Sequence, residues 1–298
     1  MISMGKMPLV SVVILNWNGK EDTIELLNSL KKTTYENYEI IIVDQGSIDG
    51  SVVAIKRKFK NLKIIQNKTN VGFAGGNNIG MKHSKGNYVF LMNNDMVVHP
   101  NWLSELVKVA EADKTIGITG SMILFYGDRD TIDRLGSIEA NRIAGVVIPY
   151  ARGVKDKGQF RESIETHFLN GLIRRDVIRK VGMYDKKMFA GGFEEIDFCS
   201  RARKGGYKTV VVPTSKLWHK GARTIKPGTY FLIFNSYKNK LRYILRNYNF
   251  AEKVLAVSFN LIYYFFKVFN FLYKMRPDLS KAIINAIIWN LKNYKDYL

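Results

Sequence analysis

The sequence is short of cysteine and of acid. Cys199 stands alone among 298 residues, so no disulfide can close within the chain, and a reducing compartment is the simpler setting. Against 46 Lys and Arg there are 26 Asp and Glu, a net charge of +20. That imbalance favours polyanionic partners: nucleic acid, anionic lipid surfaces or phosphorylated small molecules. Only MISMGKMP precedes the first strand-like run, too little for the apolar core of a signal peptide. The expected location is therefore the cytoplasm, on the cytosolic face of the cell membrane. No internal repeat and no low-complexity block is visible. The GxGxxG spacing of a dinucleotide fingerprint is missing too, which excludes that mode of cofactor binding.

What is present reads as a folded globule. Hydrophobic residues make up 46% and charged residues 24%, as in ordinary domains. Strand-like runs at Val10–Leu15, Tyr38–Val43, Leu62–Ile65, Tyr88–Met92 and 116–119 alternate with helical spacing over Glu21–Lys32, Asp49–Phe59 and 100–111. A loop rich in Gly and Asn, NVGFAGGNNIG at 70–80, opens a further helix. Alternation at these lengths predicts βαβ units and a mostly parallel sheet flanked by helices. After Gly120 the rhythm breaks, and 121–165 reads as a hairpin or excursion over the sheet. Helices at Arg174–Val181 and Glu194–Lys204 and a strand at Tyr207–Val212, closed by Pro213, complete a first domain over residues 8–222.

Residues 223–298 form a basic, aromatic, helical extension. Residues 221–298 hold 13 Lys and Arg and 3 Asp and Glu, so a quarter of the chain carries half of the excess charge. Val254–Tyr273 is nearly all apolar, with Lys253, Asn260, Lys267 and Lys274 seven apart as one narrow polar stripe on a helix. Lys267 interrupts the run short of the roughly 18 uncharged residues of a spanning helix, which favours an amphipathic helix in a membrane interface. Packing on the first domain, or on a second copy as a homodimer, is the alternative.

Acids and amides gather where strands end. In FLMNNDMVVHP at 90–100, Asn93, Asn94 and Asp95 follow an apolar run, and such strand ends are where α/β proteins place ligands. Asp44 ends the second strand and can accept hydrogen bonds from a base or ribose, while Ser47 and Asp49 are expected to cap the next helix. The amides of Asn77 and Asn78 can bond to sugar or phosphate, although glycines at a helix start also serve tight packing. Glu194, Glu195 and Asp197 crowd a helix start behind Gly191 and Gly192. The helix dipole alone favours acids there, but crowded carboxylates also raise one another's pKa, which suits a general base. His219, in LWHKG, gains a role if folding brings it to Asp95, where carboxylate, imidazole and substrate phosphates would complete an Mg²⁺ or Mn²⁺ site.

Taken in order, VSVVILNWNG (10–19), VDQGSIDGS (43–51), NVGFAGGNNIG (70–80), LMNNDMVV (91–98), GLIRRDVIRKVGMYD (171–185), FEEIDFCSRARKGGY (193–207) and LWHKG (217–221) resemble the family 2 glycosyltransferases, in their rhamnosyltransferase-like branch. The resemblance covers about residues 8–222; beyond them NSYKNKLRYILRNY (235–248) matches only loosely. It implies an α/β GT-A fold and an inverting transfer of a sugar from a nucleotide diphosphate donor, UDP- or dTDP-linked, to a glycan or lipid-linked acceptor. It sets Asp95 at the last position of the family's DxD motif, as a metal ligand with His219. Asn93 stands where the first Asp often sits. Asp44 matches the base-contacting position, and Asn16, Asn77, Asn93 and Asn94 join it and Asp95 as donor-binding residues. Glu195 matches the general base, as Glu where Asp is usual, with Glu194 and Asp197 in reserve. A nucleic-acid partner, the rival suggested by the charge, explains neither the acids at three strand ends nor their order and is not expected. A scaffold that keeps the fold without the activity is the other rival.

Overall fold

The computed structural model describes residues 7–60, 62–167, 169, 171–190, 192–221 and 228–297. At its centre, β1 (Val10–Asn16) pairs in parallel with β2 (Tyr38–Asp44) and with β4 (Tyr88–Asn93), and β3 (Lys63–Gln66) lies outside β2. The short β11 (Leu172–Arg174) runs antiparallel between β4 and β6 (Ile116–Phe125). Beyond β6 lies β12 (Lys208–His219), parallel to it, with β10 (Ile164–Glu165) on the edge. Two small strands cap the far end of this half: β5 (Met96–Val98) on β12 and β7 (Ile132–Arg134) on β6. A separate antiparallel hairpin pairs β8 (Ser137–Asn141) with β9 (Val146–Pro149).

Both faces of the sheet are covered, which is why its strands read as continuous apolar runs. Val13, Ile41, Val43, Val89 and Leu91 face one side, under α3 (Gly72–His83), α5 (Arg175–Val181) and α6 (Glu194–Lys204). Their neighbours Val12, Ile14, Ile42, Phe90 and Met92 face the other, under α1 (Lys20–Leu30), α2 (Ser51–Lys58) and α4 (Trp102–Ala112). The period of two along each strand delivers alternate residues to the two cores.

Three sequence expectations change. The Gly-rich stretch 70–80 is mostly helix: α3 begins at Gly72, where Asn70 Oδ1 accepts the Gly72 amide at 2.8 Å. A side chain at Gly80 would come within 2.1 Å of Val13 Cγ1, so glycine lets this helix lie close on β1. The sixth strand runs on to Phe125 instead of stopping at 119. The last strand passes through Pro213 to His219, because its ladder with β6 is broken between Val212 and Lys216. A proline in such a bulge leaves no ladder bond unmade.

The C-terminal part comprises α7 (Tyr230–Asn247), α8 (Phe250–Tyr273) and α9 (Pro277–Lys292). The expected boundary at 222/223 falls outside the described residues. Helix α7 is fastened to the sheet domain by polar bonds: Asn239 donates to the carbonyls of Ala190 and Gly192, and Arg242 pairs with Asp185 at 2.5 Å. Helix α8 opens with a capping box of Asn249 and Glu252. Of its polar stripe, Asn260 turns fully inward and donates to the Ile143 carbonyl, beside buried Ala256 and Tyr264, Lys253 and Lys267 are half-buried, and Lys274 at the end is exposed. Many of the apolar residues face out, with Ile262, Phe265 and Phe266 exposed by 60%, 58% and 65%, while Val268 and Phe271 pack against Leu241 and Ile283.

Candidate active site

The carboxyl ends of β1, β2 and β4 are tied together by one buried amide. Asn16 Nδ2 donates to Asp44 Oδ1 at 2.8 Å and to Ser51 Oγ at 2.9 Å, while its Oδ1 accepts from Thr23 Oγ1 at 2.8 Å. Asn94 completes the knot by donating to Thr23 Oγ1 at 3.0 Å. Asp44 was expected to stand ready for a ligand. Instead it is 1% exposed, with one oxygen taken by Asn16 and the Ser47 hydroxyl and the other by the Ser47 amide. It braces the turn after β2. Neither Ser47 nor Asp49 caps α2, whose N-cap is Gly50; Asp49 instead accepts the amides of Ser51 and Lys20 and so braces the two loops against each other.

Asn77 and Asn78 are likewise turned to the protein. Asn78 exchanges two bonds with the backbone of Tyr184, and Asn77 is buried and donates to the Phe73 carbonyl within its own helix. Among the described residues the Asn77 Oδ1 has no hydrogen-bond partner, whereas both ends of the Asn78 amide are taken by Tyr184. Asn93 ends β4 beside Leu15, half-buried.

Folding does bring His219 to Asp95. Strand β5 pairs back on the end of β12, matching Met96 to His219, and the Lys220 amide donates to the Asp95 carbonyl at 3.0 Å. His219 Nε2 lies 3.3 Å from Asp95 Oδ2, and Nδ1 lies 3.2 Å from Asp133 Oδ2. The strand end is bolted down by Lys220, which pairs with Asp22 at 2.6 Å and Glu25 at 2.5 Å on α1. Burial pulls the imidazole's pKa down, but the Asp133 and Asp95 carboxylates reverse this and hold it at about 9. Burial also works against ionised Asp133, and His219 outweighs it, leaving that carboxyl below its ordinary value.

This pair has the chemistry of a cation site. Among the described residues the buried Asp95 Oδ1 has no hydrogen-bond partner, which leaves a carboxylate oxygen without the compensation that burial demands. Among the described residues no three His, Cys, Asp or Glu converge as a closed cage. One carboxylate and one imidazole, with other positions left to phosphate and water, suit Mn²⁺ or Mg²⁺.

The acids of α6 part ways. Gly192 and Phe193 both have left-handed backbones, φ 87° and 77°, a strained turn for phenylalanine that is held by its ring packing on Tyr243. Gly191, the first glycine of the pair before these acids, lies outside the described residues. Asp197, expected as a reserve base, is fully buried, and its oxygens are engaged by Arg201 at 2.9 Å, Arg246 at 3.3 Å and Asn247 at 2.8 Å. It joins α6 to α7. Because removing one member of a buried charged network strands its partners, Asp197→Ala should cost about 3–5 kcal/mol of stability in chemical denaturation. Unchanged stability would contradict that role.

Glu194 is buried, and burial together with its neighbour Glu195 raises its pKa. Glu195 is part-exposed at a cleft wall, with its pKa also raised by burial and drawn back by Arg134. The cleft, about 500 Å³, lies between the β8–β9 hairpin, the start of α6, and helices α7 and α8. Strand β7 links both places, since Asp133 meets His219 and the next residue, Arg134, lines the cleft. Asp133, Arg134 and the cleft residue Lys240 were not singled out from sequence. The first two lie in the stretch without periodicity, and Lys240 looked like one more charge on a basic helix. Cys199 is buried with its thiol pushed up to about 12 by burial, so it is unreactive filling.

A mostly parallel sheet with polar side chains gathered at its carboxyl edge defines an α/β domain of the GT-A kind, and solved structures agree. GalNAc-T7, crystallised with UDP, GalNAc and Mn²⁺, superposes with a TM-score of 0.64 over 80% of this chain and 48% of its own, at 20% identity. Residues 1–349 of TarS from S. aureus give 0.56 over 82% and 68%, at 16% identity. The chain belongs to glycosyl transferase family 2, whose profile matches residues 11–182. An uncharacterised glycosyltransferase of Haemophilus influenzae is 35% identical over 123 residues, 40% of this chain and 38% of that protein. The glycosyltransferase AglE of Haloferax volcanii is 26% identical over 211 residues, 67% of this chain and 63% of AglE. The chain thus spans less than two thirds of these relatives.

Proposed function

We propose that the protein is an inverting glycosyltransferase that moves a sugar from a UDP- or dTDP-linked donor to a hydroxyl of a glycan or lipid-linked acceptor. The observation that carries this reading is the meeting of Asp95 and His219 at the sheet's carboxyl edge, with Glu195 in the cleft reached through the same β7 strand. Asp95 and His219 would hold Mn²⁺ or Mg²⁺, which when bound neutralises charge developing on a leaving diphosphate. Asp133 fixes the orientation of the imidazole from behind, as outer partners of ligating histidines do. The Asn16 knot holds the β1, β2 and β4 ends so that Asn93 and Asp95 keep one orientation toward the donor.

At the cleft, an acceptor hydroxyl would give its proton to the Glu195 carboxylate. Its oxygen would then attack the anomeric carbon on the face opposite the diphosphate, forming the new C–O bond as the old one breaks and inverting the centre. A raised pKa makes Glu195 a stronger base than an exposed carboxylate. The test is calorimetric titration with UDP, dTDP, GDP and CMP, each with and without Mn²⁺. Micromolar binding of one nucleotide that requires the cation is expected; binding of none would refute the reading and favour a scaffold.

The outward face of α8 is proposed to rest on an anionic membrane. The helix is long and apolar enough to cross a bilayer, but Ala256, Asn260 and Tyr264 are buried in the protein, which keeps it at the interface. Nearby lysines suit anionic headgroups. Ile262→Glu/Phe266→Glu should abolish co-sedimentation with anionic liposomes. If liposome binding persists and a concentration-dependent dimer is lost instead, the face belongs to a second copy.

A further inference from the structure

We infer that the Glu195 cleft is a subsite for a phosphorylated acceptor and that Lys240 is the residue that recognises its phosphate. This rests on the transferase reading and adds to it the chemistry of the acceptor. Among the described residues three charged side chains line the cleft: Arg134, Glu195 and Lys240. The other cations of α7 have protein partners. Lys238 donates to the Lys187 carbonyl and to Asn235, Arg242 pairs with Asp185, and Arg246 with Asp185 and Asp197. Lys240 is half-buried among Gly145, Tyr263 and the cleft, with the Tyr263 ring at 5.8 Å and no carboxylate of the described residues paired with it. Burial is the influence acting on its ammonium, and it lowers the pKa to about 8.

A second observation on the same wall points to a ligand. The Tyr264 side chain is fully buried, lines the cleft, and its hydroxyl has no hydrogen-bond partner. A buried hydroxyl and a half-buried ammonium left without acceptors are costly unless something binds there. An anion rich in acceptor oxygens satisfies the ammonium directly; the hydroxyl, which solvent does not reach in this structure, joins it once the wall shifts as the anion enters. Lys240 and Arg134 set two positive charges against the single negative charge of Glu195 acting as base, and phosphate offers them more acceptor oxygens than a carboxylate does. Helix α8 also presents Tyr264 to the cleft and Ile262, Phe265 and Phe266 to the outside. A phosphate carried on a lipid would therefore reach Lys240 from the surface on which its chain rests.

The test uses the full-length protein in chelator, so that binding which needs a divalent cation is silent. Inorganic phosphate and a short soluble prenyl phosphate are titrated into the wild type, Lys240→Met, Lys240→Arg and Tyr264→Phe. A second titration adds the cognate nucleotide with Mn²⁺. Lys240→Met is expected to weaken phosphate binding by about tenfold or more, Lys240→Arg to restore most of it, and nucleotide binding to stay unchanged. Tyr264→Phe, which removes only the hydroxyl, should give a smaller loss. Equal losses for both probes point to a soluble phosphorylated acceptor, and a preference for the prenyl ester points to a lipid-borne one. Undiminished phosphate binding in Lys240→Met, or a parallel loss of nucleotide binding, would overturn the inference. A wild type that binds nucleotide but neither phosphate probe would overturn it too, and would leave the transferase reading standing.

Discussion

Glu195→Gln should bind donor as the wild type does and lose transfer by about 10³-fold, within the range that general-base catalysis supplies. The substitution keeps volume and hydrogen-bonding shape but cannot take up a proton. Single-turnover transfer and calorimetric donor binding, measured on the same preparation, separate the two effects. The pH profile adds a check with a definite sign. Burial disfavours the ionised carboxylate, so the base form gains population only as pH rises above the usual carboxylate range. Wild-type kcat/KM should therefore climb with pH through an apparent pKa above that range. Arg134 lowers the Glu195 pKa, so Arg134→Ala should move the limb further up. Full activity in Glu195→Gln, or a limb at the ordinary glutamate value, would remove Glu195 as the base.

Asp95→Asn is expected to lower nucleotide affinity in Mn²⁺ by about 100-fold, taking the upper end of the loss seen when a metal site is damaged from its outer shell. Affinity in chelator should not change. The reason lies in the geometry: Asp95 supplies a buried oxygen without a partner and sits 3.3 Å from His219 Nε2. The substitution removes the charge without leaving a cavity. Asp133→Asn acts on the far nitrogen of that imidazole and on Arg152, not on Asp95 itself, and should give a smaller loss, about tenfold. Identical Mn²⁺ dependence in wild type and Asp95→Asn would place the cation elsewhere.

Much of the architecture was legible from local pattern. Apolar β-branched runs such as Val10–Leu15, spaced by helical repeats such as Ile24, Leu27 and Leu30, predict a covered parallel sheet, because burial on both faces leaves no position for polar alternation. The start of α6 at Glu194 followed from its acids and glycines. The excursion over 121–165 defeated that reading. Its strands are two to five residues long and are held by partners far away in sequence, as β7 is by β6. Pro213 misled for a related reason: a proline ends a strand only where its missing N–H would have been bonded, and the neighbouring strand decides that.

The same division runs through the site. Which side chains exist at the strand ends, Asn16, Asp44, Asn93, Asn94 and Asp95, is written in the sequence, since a strand's carboxyl end follows from its apolar run. Which of them face a ligand is not. Asp44 and Asp197 look as available as Asp95 and Glu195, yet the fold closes the first pair inside hydrogen-bond networks with Asn16, Ser47, Arg201 and Asn247. The direction of α8 shows the contrast most plainly. The sequence alone determined a polar stripe and an apolar face, because both follow from a period of 3.6 residues. Only the tertiary structure decided that the middle of the stripe faces inward: Asn260 finds its acceptor in the Ile143 carbonyl, and a buried amide must have a partner, whereas an apolar face can be left for another surface to cover.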